Sequence, residues 1–150
     1  MSVLGLRCSN KDYTYVILTG SRNSPKVIQK GTVPYPQGYS TSQSLKWFHQ
    51  EIENYVTQHD IKRIVIKADE GIWRGKKSED RIEHEAIAFF VAANHDLWAA
   101  RKRSSTLAKA LGLKGRGRYL AELDTSPIPD YDKYSGKMID ALRSAWSEIH

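Results

Sequence analysis

The sequence has 150 residues and a mass of 17.1 kDa, with 23 Lys+Arg against 17 Asp+Glu, a formal net charge of +6 and a pI of about 9.4. Seven of the basic residues and no acid fall in residues 101–118, so the other 132 residues hold 16 basic against 17 acidic side chains, a net charge of −1; this is a local patch suited to an anion, not a generally basic surface. The 40% hydrophobic content suffices for the core of one domain, 1–150, the lone Cys8 excludes an internal disulfide or a cysteine zinc site, and no apolar run is long enough to span a bilayer.

The five histidines, His49, His59, His84, His95 and His150, show no metal-ligand spacing. The opening residues, MSVLGLRCSN, carry too short an apolar run for a signal peptide, so the expectation is a soluble cytoplasmic protein with no membrane partner.

Val3 to Arg7, Tyr13 to Thr19 and Pro25 to Val33 read as three strands joined by short polar turns, an antiparallel meander. Pro34-Tyr35-Pro36-Gln37-Gly38 interrupts regular structure, and Ser40, Thr41 or Ser42 can cap a helix whose apolar face is Leu45, Phe48, Ile52, Tyr55 and Val56. Ile61 to Ala68 is a further strand. The polar loop GIWRGKKS leads to a second helix with Glu79 and Asp80 in its first turn and Ile82, Ala86, Phe89, Phe90 and Ala93 as the side expected to pack on the sheet. Leu97 to Ala100 is a short strand, Leu107 to Leu111 a short helix, and Ile139, Leu142, Trp146 and Ile149 mark the stripe of a C-terminal helix. The order implies an α/β fold with a five-stranded mixed sheet, three antiparallel strands and then two parallel ones, flanked by helices.

Three local patterns accompany this order: Val3-Leu4-Gly5-Leu6-Arg7; Ile64-Val65-Ile66-Lys67 followed by the Ala-rich stretch Ala86 to Asn94; and Asp140-Ala141-Leu142. Together they resemble the ribonuclease-H-like fold of the RuvC-type Holliday-junction resolvases over nearly the whole chain. The resemblance implies two Mg²⁺ ions held by carboxylates from the first strand, the fourth strand and the last helix, which activate water and stabilise the departing oxygen. This sequence departs from that pattern, placing Arg7 and Lys67 on the two strands and Lys137 one turn before Asp140. Cations there repel hard divalent ions, so the two-metal hydrolysis is not expected, and neither a catalytic residue nor a cofactor is.

Two roles remain open for Arg7, Lys67 and Asp140: an ion-pair cluster that joins the same elements without metal, or a former cleavage site turned to phosphate binding. Asp69, Glu70 and Asp140 keep a nuclease alternative open, with Mg²⁺ needed only in that case. For nucleic acid, DNA or RNA, the candidate contacts are Arg101, Lys102, Arg103, Lys114, Arg116 and Arg118, with close backbone approach at Gly112, Gly115 and Gly117. The loop residues Trp73, Arg74, Lys76 and Lys77 add cations and a base-stacking aromatic. Trp47, Trp98 and Trp146 read as core or interface residues. A protein-interaction role, with a homodimer as its simplest form, is the third possibility.

Overall fold

A computed structural model describes residues 1–70, 78–114 and 119–150. Its elements are β1 (Ser2–Cys8), β2 (Asp12–Ser21), β3 (Ser24–Pro34), α1 (Thr41–Gln58), β4 (Ile61–Lys67), α2 (Glu79–Asn94), β5 (Trp98–Lys102), α3 (Ser104–Ala110) and α4 (Gly136–Trp146), with 3-10 turns at Tyr119–Glu122 and Tyr131–Lys133. The sheet order is β3-β2-β1-β4-β5. β1, β2 and β3 pair antiparallel, while β4 lies parallel to both β1 and β5, as the chain order implies.

Both faces of the sheet are covered, which is why β1 is apolar at consecutive positions and not at alternate ones. Leu4, Leu6, Tyr13, Tyr15, Ile17, Ile64 and Ile66 face α1 and α2, and Val3, Val16, Leu18 and Val65 face α4. On the first face Tyr13 meets Phe48 edge-on at 5.0 Å and Tyr15 stacks on Tyr55 at 4.4 Å. The Tyr13 and Tyr55 hydroxyls bond to each other at 2.7 Å, and burial pushes both phenols well above their ordinary range.

The helix starts follow local sequence. Ser40 and Gln43 form a capping box on α1, and the Ser78 and Ser135 hydroxyls accept from the N–H groups of Arg81 and Met138 on α2 and α4. The two-residue turn between β2 and β3 holds the C-terminus, because the Arg22 guanidinium donates to the carbonyls of Ala110, Ser147 and Ile149, and Trp146 Nε1 donates to Arg22 O. Trp47 is half-buried among Tyr13 and Tyr35, while Trp98 is largely exposed on the edge strand beneath the Arg63 guanidinium. Among the described residues no helix is long and apolar enough to cross a membrane.

The inward side of α2 is not the one its apolar residues suggest. Arg81, His84, Glu85, Ala88, Val91 and Ala92 are buried, whereas Ile82 is 42% exposed, Phe90 is 56% exposed and Ala86 and Ala93 face outward. Partners make this orientation possible: Arg81 Nε donates to Glu85 Oε2 at 3.0 Å, and His84 lies between Ser44, Asp80 O and the Tyr35 ring. A polar group that is fully partnered can be buried at little cost, so these side chains share the inward side with Ala88, Val91 and Ala92 while Ile82 and Phe90 turn outward. β5 also runs two residues further than expected, to Lys102, and the buried side of α4 includes Ala141, Ser144 and Ala145, with Ile139 only half-buried.

α4 approaches β1 so closely that a Cβ on Gly5 would collide with the carbonyl oxygen of Ala141 and stand 2.9 Å from the amide of Ala145. Gly5→Ala is therefore expected to destabilise the protein by about 3 kcal/mol, the upper end for overpacking, and to lower the Tm by about 6–12 °C. Gly136→Ala, where an added Cβ meets nothing within 4 Å, should leave the Tm essentially unchanged in the same calorimetric scans.

His84 gives a pH prediction. Burial lowers its pKa from 6.5, against the opposing pull of Asp80. The folded state then binds fewer protons than the unfolded one, so stability is fully present above about pH 6.5 and falls as the pH drops. Urea unfolding at pH 7.5 and 5.5 should show that loss in the wild type and a smaller one in His84→Gln.

Candidate functional site

The parallel register pairs Leu6 with Ile66, so the next residues, Arg7 and Lys67, stand side by side at the C-terminal ends of β1 and β4. Strand alternation turns both toward the α4 side of the sheet, like Gly5 and Val65 before them. Arg7 Nε donates to Asp140 Oδ2 at 3.1 Å and Arg7 Nη1 to Cys8 O at 2.9 Å. Lys67 Nζ donates to Glu70 Oε2 at 2.7 Å and to Ala68 O, and its side chain is only 7% exposed. Lys137 Nζ, on α4, donates to Asp12 Oδ1 at 2.9 Å, the oxygen that also accepts from Ser9 Oγ at 2.7 Å.

The four positions singled out by resemblance are thus not one cluster. Arg7 and Asp140 are joined, while Lys67 and Lys137 each have their own carboxylate. The sequence suggested three cations against one acid; Glu70 and Asp12 bring the balance to three against three. Burial raises the pKa of the Asp12 carboxyl, and the bonds from Lys137 and Ser9 more than offset it, holding it below the usual range. Glu70 is held low in the same way, by Lys67 and by the hydroxyl and backbone N–H of Ser104.

The carboxylates of the nuclease alternative are held apart. Asp140 is on Arg7, Glu70 is on Lys67 and Ser104, and Asp69 Oδ1 lies 3.6 Å from Arg81 Nη1. Among the described residues no group of three or more His, Cys, Asp or Glu side chains could hold a metal ion. A hard divalent cation needs several oxygens free of competing cations, and these residues do not fit that need.

The basic run is divided by strand alternation. Arg101 lies on the α2 side, donating to Glu85 Oε1 at 2.5 Å and covering the Phe89 ring at 4.9 Å. Lys102, expected on the nucleic-acid surface, is buried on the opposite side, where its Nζ donates to Ser147 Oγ at 2.9 Å and Glu148 Oε1 at 3.0 Å. Glu148 also accepts from Arg63. The burial follows from the two-sided sheet: consecutive strand residues face opposite layers, and this one found a carboxylate. Arg103 and Lys114 are exposed. Trp73, Arg74, Lys76, Lys77, Arg116 and Arg118 lie outside the described residues.

Sequence reasoning missed Asp12, Arg81, Glu85 and Glu148. The Arg81/Glu85 spacing of four on a helix signals an ion pair, but such pairs are ordinarily solvated, so it carried no hint of burial.

No protein-family model matches the sequence, and no curated protein matches it significantly. Solved structures do match. Thermus thermophilus RuvC in complex with a Holliday junction substrate aligns with a TM-score of 0.71 at 10% identity, over 98% of this chain and 91% of that one. The yeast mitochondrial Holliday junction resolvase Ydc2 aligns at 0.63 and 12% identity, over 97% and 76%. The fowlpox virus resolvase, solved with its substrate Holliday junction DNA, aligns at 0.50 and 10% identity, over 98% and 95%. The chain has the ribonuclease-H-like, RuvC-type fold.

The Lys67–Glu70 pair is directly testable. Glu70→Gln leaves a buried ammonium without its charge partner and should cost about 1–3 kcal/mol, less than a fully buried pair because Glu70 is partly exposed. In a double-mutant cycle by urea unfolding, adding Lys67→Met to Glu70→Gln should recover most of that loss, since the uncompensated charge is then gone.

Proposed function

We propose that this chain is a single RuvC-like domain over residues 1–150 that binds structured or branched nucleic acid through its phosphates and does not cut it. The observation that carries the reading is the charge-matched set Arg7–Asp140, Lys67–Glu70 and Lys137–Asp12 at the ends of β1, β4 and α4. By resemblance Arg7, Lys67, Lys137 and Asp140 are the positions where a resolvase holds its metals, and here each of the three cations is bound to a carboxylate, Asp140 among them. The partner is inferred from the fold's solved neighbours, two of which are seen in complex with Holliday junction substrates, and from the basic residues. Arg7, Lys67 and Lys137 serve as ties between elements in this reading, because each already donates to a carboxylate.

Phosphate contact then falls to cations outside these pairs. Arg103 and Lys114 are exposed on the described surface, and Arg74, Lys76, Lys77, Arg116 and Arg118 are the sequence candidates. Neutralising phosphates releases condensed counterions, so engaging about five of them gives a log K against log salt slope of about −4 to −5 on duplex DNA. A homodimer is part of the proposal. It is supported by the outward face of Ala86, Phe90 and Ala93 on α2, apolar side chains outside any cleft that a second copy could cover.

Titration of fluorescent four-way junction, duplex and RNA–DNA hybrid at several salt concentrations tests the binding. Affinity should fall with that slope, favour the junction and leave every strand intact in Mg²⁺ or Mn²⁺. Cleavage at stoichiometric protein would overturn the non-catalytic assignment, and salt-insensitive, weak binding to all three would overturn the partner. Sedimentation of the free protein should show a dimer that Phe90→Glu converts to monomer; a monomeric wild type at high concentration would overturn that part.

A further inference from the structure

On the side of the sheet away from α4, a cleft of about 370 Å³ opens between α2 and the junction of β5 with α3. Its floor is a committed ion pair. Arg81 and Glu85 are both buried, Arg81 Nη2 donates to Lys67 O at 2.8 Å, and the two oxygens of Glu85 are taken by Arg81 and Arg101. Asp69 also lines the cleft and lies 3.6 Å from Arg81 Nη1, so both carboxylates that face the cleft stand against guanidinium groups, and Arg103 is a further cation. Arg101 and Arg103 are two residues apart in extended chain and both line the cleft. Glu85 and the Phe89 ring hold Arg101 in place. The Arg103 side chain is exposed and, among the described residues, makes no hydrogen bond or ion pair. Ala68 and Ile82 supply an apolar wall.

We propose that this cleft binds a nucleotide, with its phosphate on the Arg103 and Arg101 guanidinium groups and its base against Ile82 and Ala68. Guanidinium forks match phosphate oxygens, and one of the two is positioned in advance while the other keeps all its donors free. The cleft is of the size that holds small organic ligands, so a phosphate alone would leave most of it unfilled. The exposure of Ile82, unfavourable in the free protein, gains a purpose once a base covers it. The same chemistry can come from a free mononucleotide or from an unstacked or terminal nucleotide of a bound strand. Only the second source rests on the nucleic-acid reading above.

The test uses the full chain, calorimetric titration, and three probes: inorganic phosphate, a 5′-mononucleotide and a short single-stranded oligonucleotide. The mononucleotide should bind more tightly than inorganic phosphate. Arg103→Ala, whose side chain holds nothing in the fold, should keep the wild-type Tm and weaken the mononucleotide by about tenfold or more, the scale of a lost charge-assisted contact. Ile82→Ser should weaken the mononucleotide and leave phosphate unchanged. Displacement of the oligonucleotide by the mononucleotide identifies a strand nucleotide as the occupant, and binding of both without competition identifies the free nucleotide. Phosphate binding as tightly as the mononucleotide, or Arg103→Ala matching the wild type for the mononucleotide, overturns the proposal. Absence of oligonucleotide binding with the mononucleotide still bound assigns the cleft to the free nucleotide, and the junction titration above tests the nucleic-acid reading separately.

Discussion

The contact between Gly5 and the backbone of α4 sets the geometry of everything on that side of the sheet. Because residue 5 has no Cβ, the helix backbone at Ala141 and Ala145 lies directly against β1. That height brings Asp140 to Arg7 and, one turn earlier, Lys137 to Asp12. Just past the helix it brings Glu148 to Arg63 and Lys102. All four ion pairs span the same gap between helix and sheet at 2.9–3.1 Å. A side chain at residue 5 would lift the helix and stretch them together, exchanging short charge-assisted hydrogen bonds for separations at which water intervenes.

Pairs of this kind contribute little net stability when intact, because desolvation offsets most of the Coulombic attraction. Their weight lies in the cost of losing one partner, which strands a half-buried charge. The C-terminal edge of the sheet is therefore constrained to change by pairs. Three acids matched to three cations also leave no excess charge at this edge for either a divalent ion or a phosphate.

The sequence made the order of the elements legible, as well as the antiparallel-then-parallel sheet and the apolar sides of α1 and α4, because strand and helix periodicities report burial wherever apolar residues do the burying. It failed on α2 for the complementary reason. Arg81, His84 and Glu85 count as polar in any pattern, yet they are buried through partners from β4, α1 and β5 that only the folded chain brings near. The pairing of Lys67 with Glu70 lay within three residues of sequence and was accessible in principle. Asp12 with Lys137 was not, since 125 positions separate them.

The basic run shows most clearly how a count of charges differs from a surface. Residues 101–103 read as one cluster of three cations, but a strand with both faces covered sends its side chains to alternate layers. Lys102 is consumed under α4 and Arg101 is half committed under α2. Arg103, the first residue beyond the strand, is free of both layers. The available charge in this stretch is thus set by where β5 ends. Had the strand stopped at Ala100, as its apolar residues suggested, Lys102 would lie in the connection to α3 and not beneath α4. Its extension to Lys102 spends one cation on Glu148 and leaves Arg103 and Arg101 at the rim of the α2 cleft, away from the helix that carries Asp140.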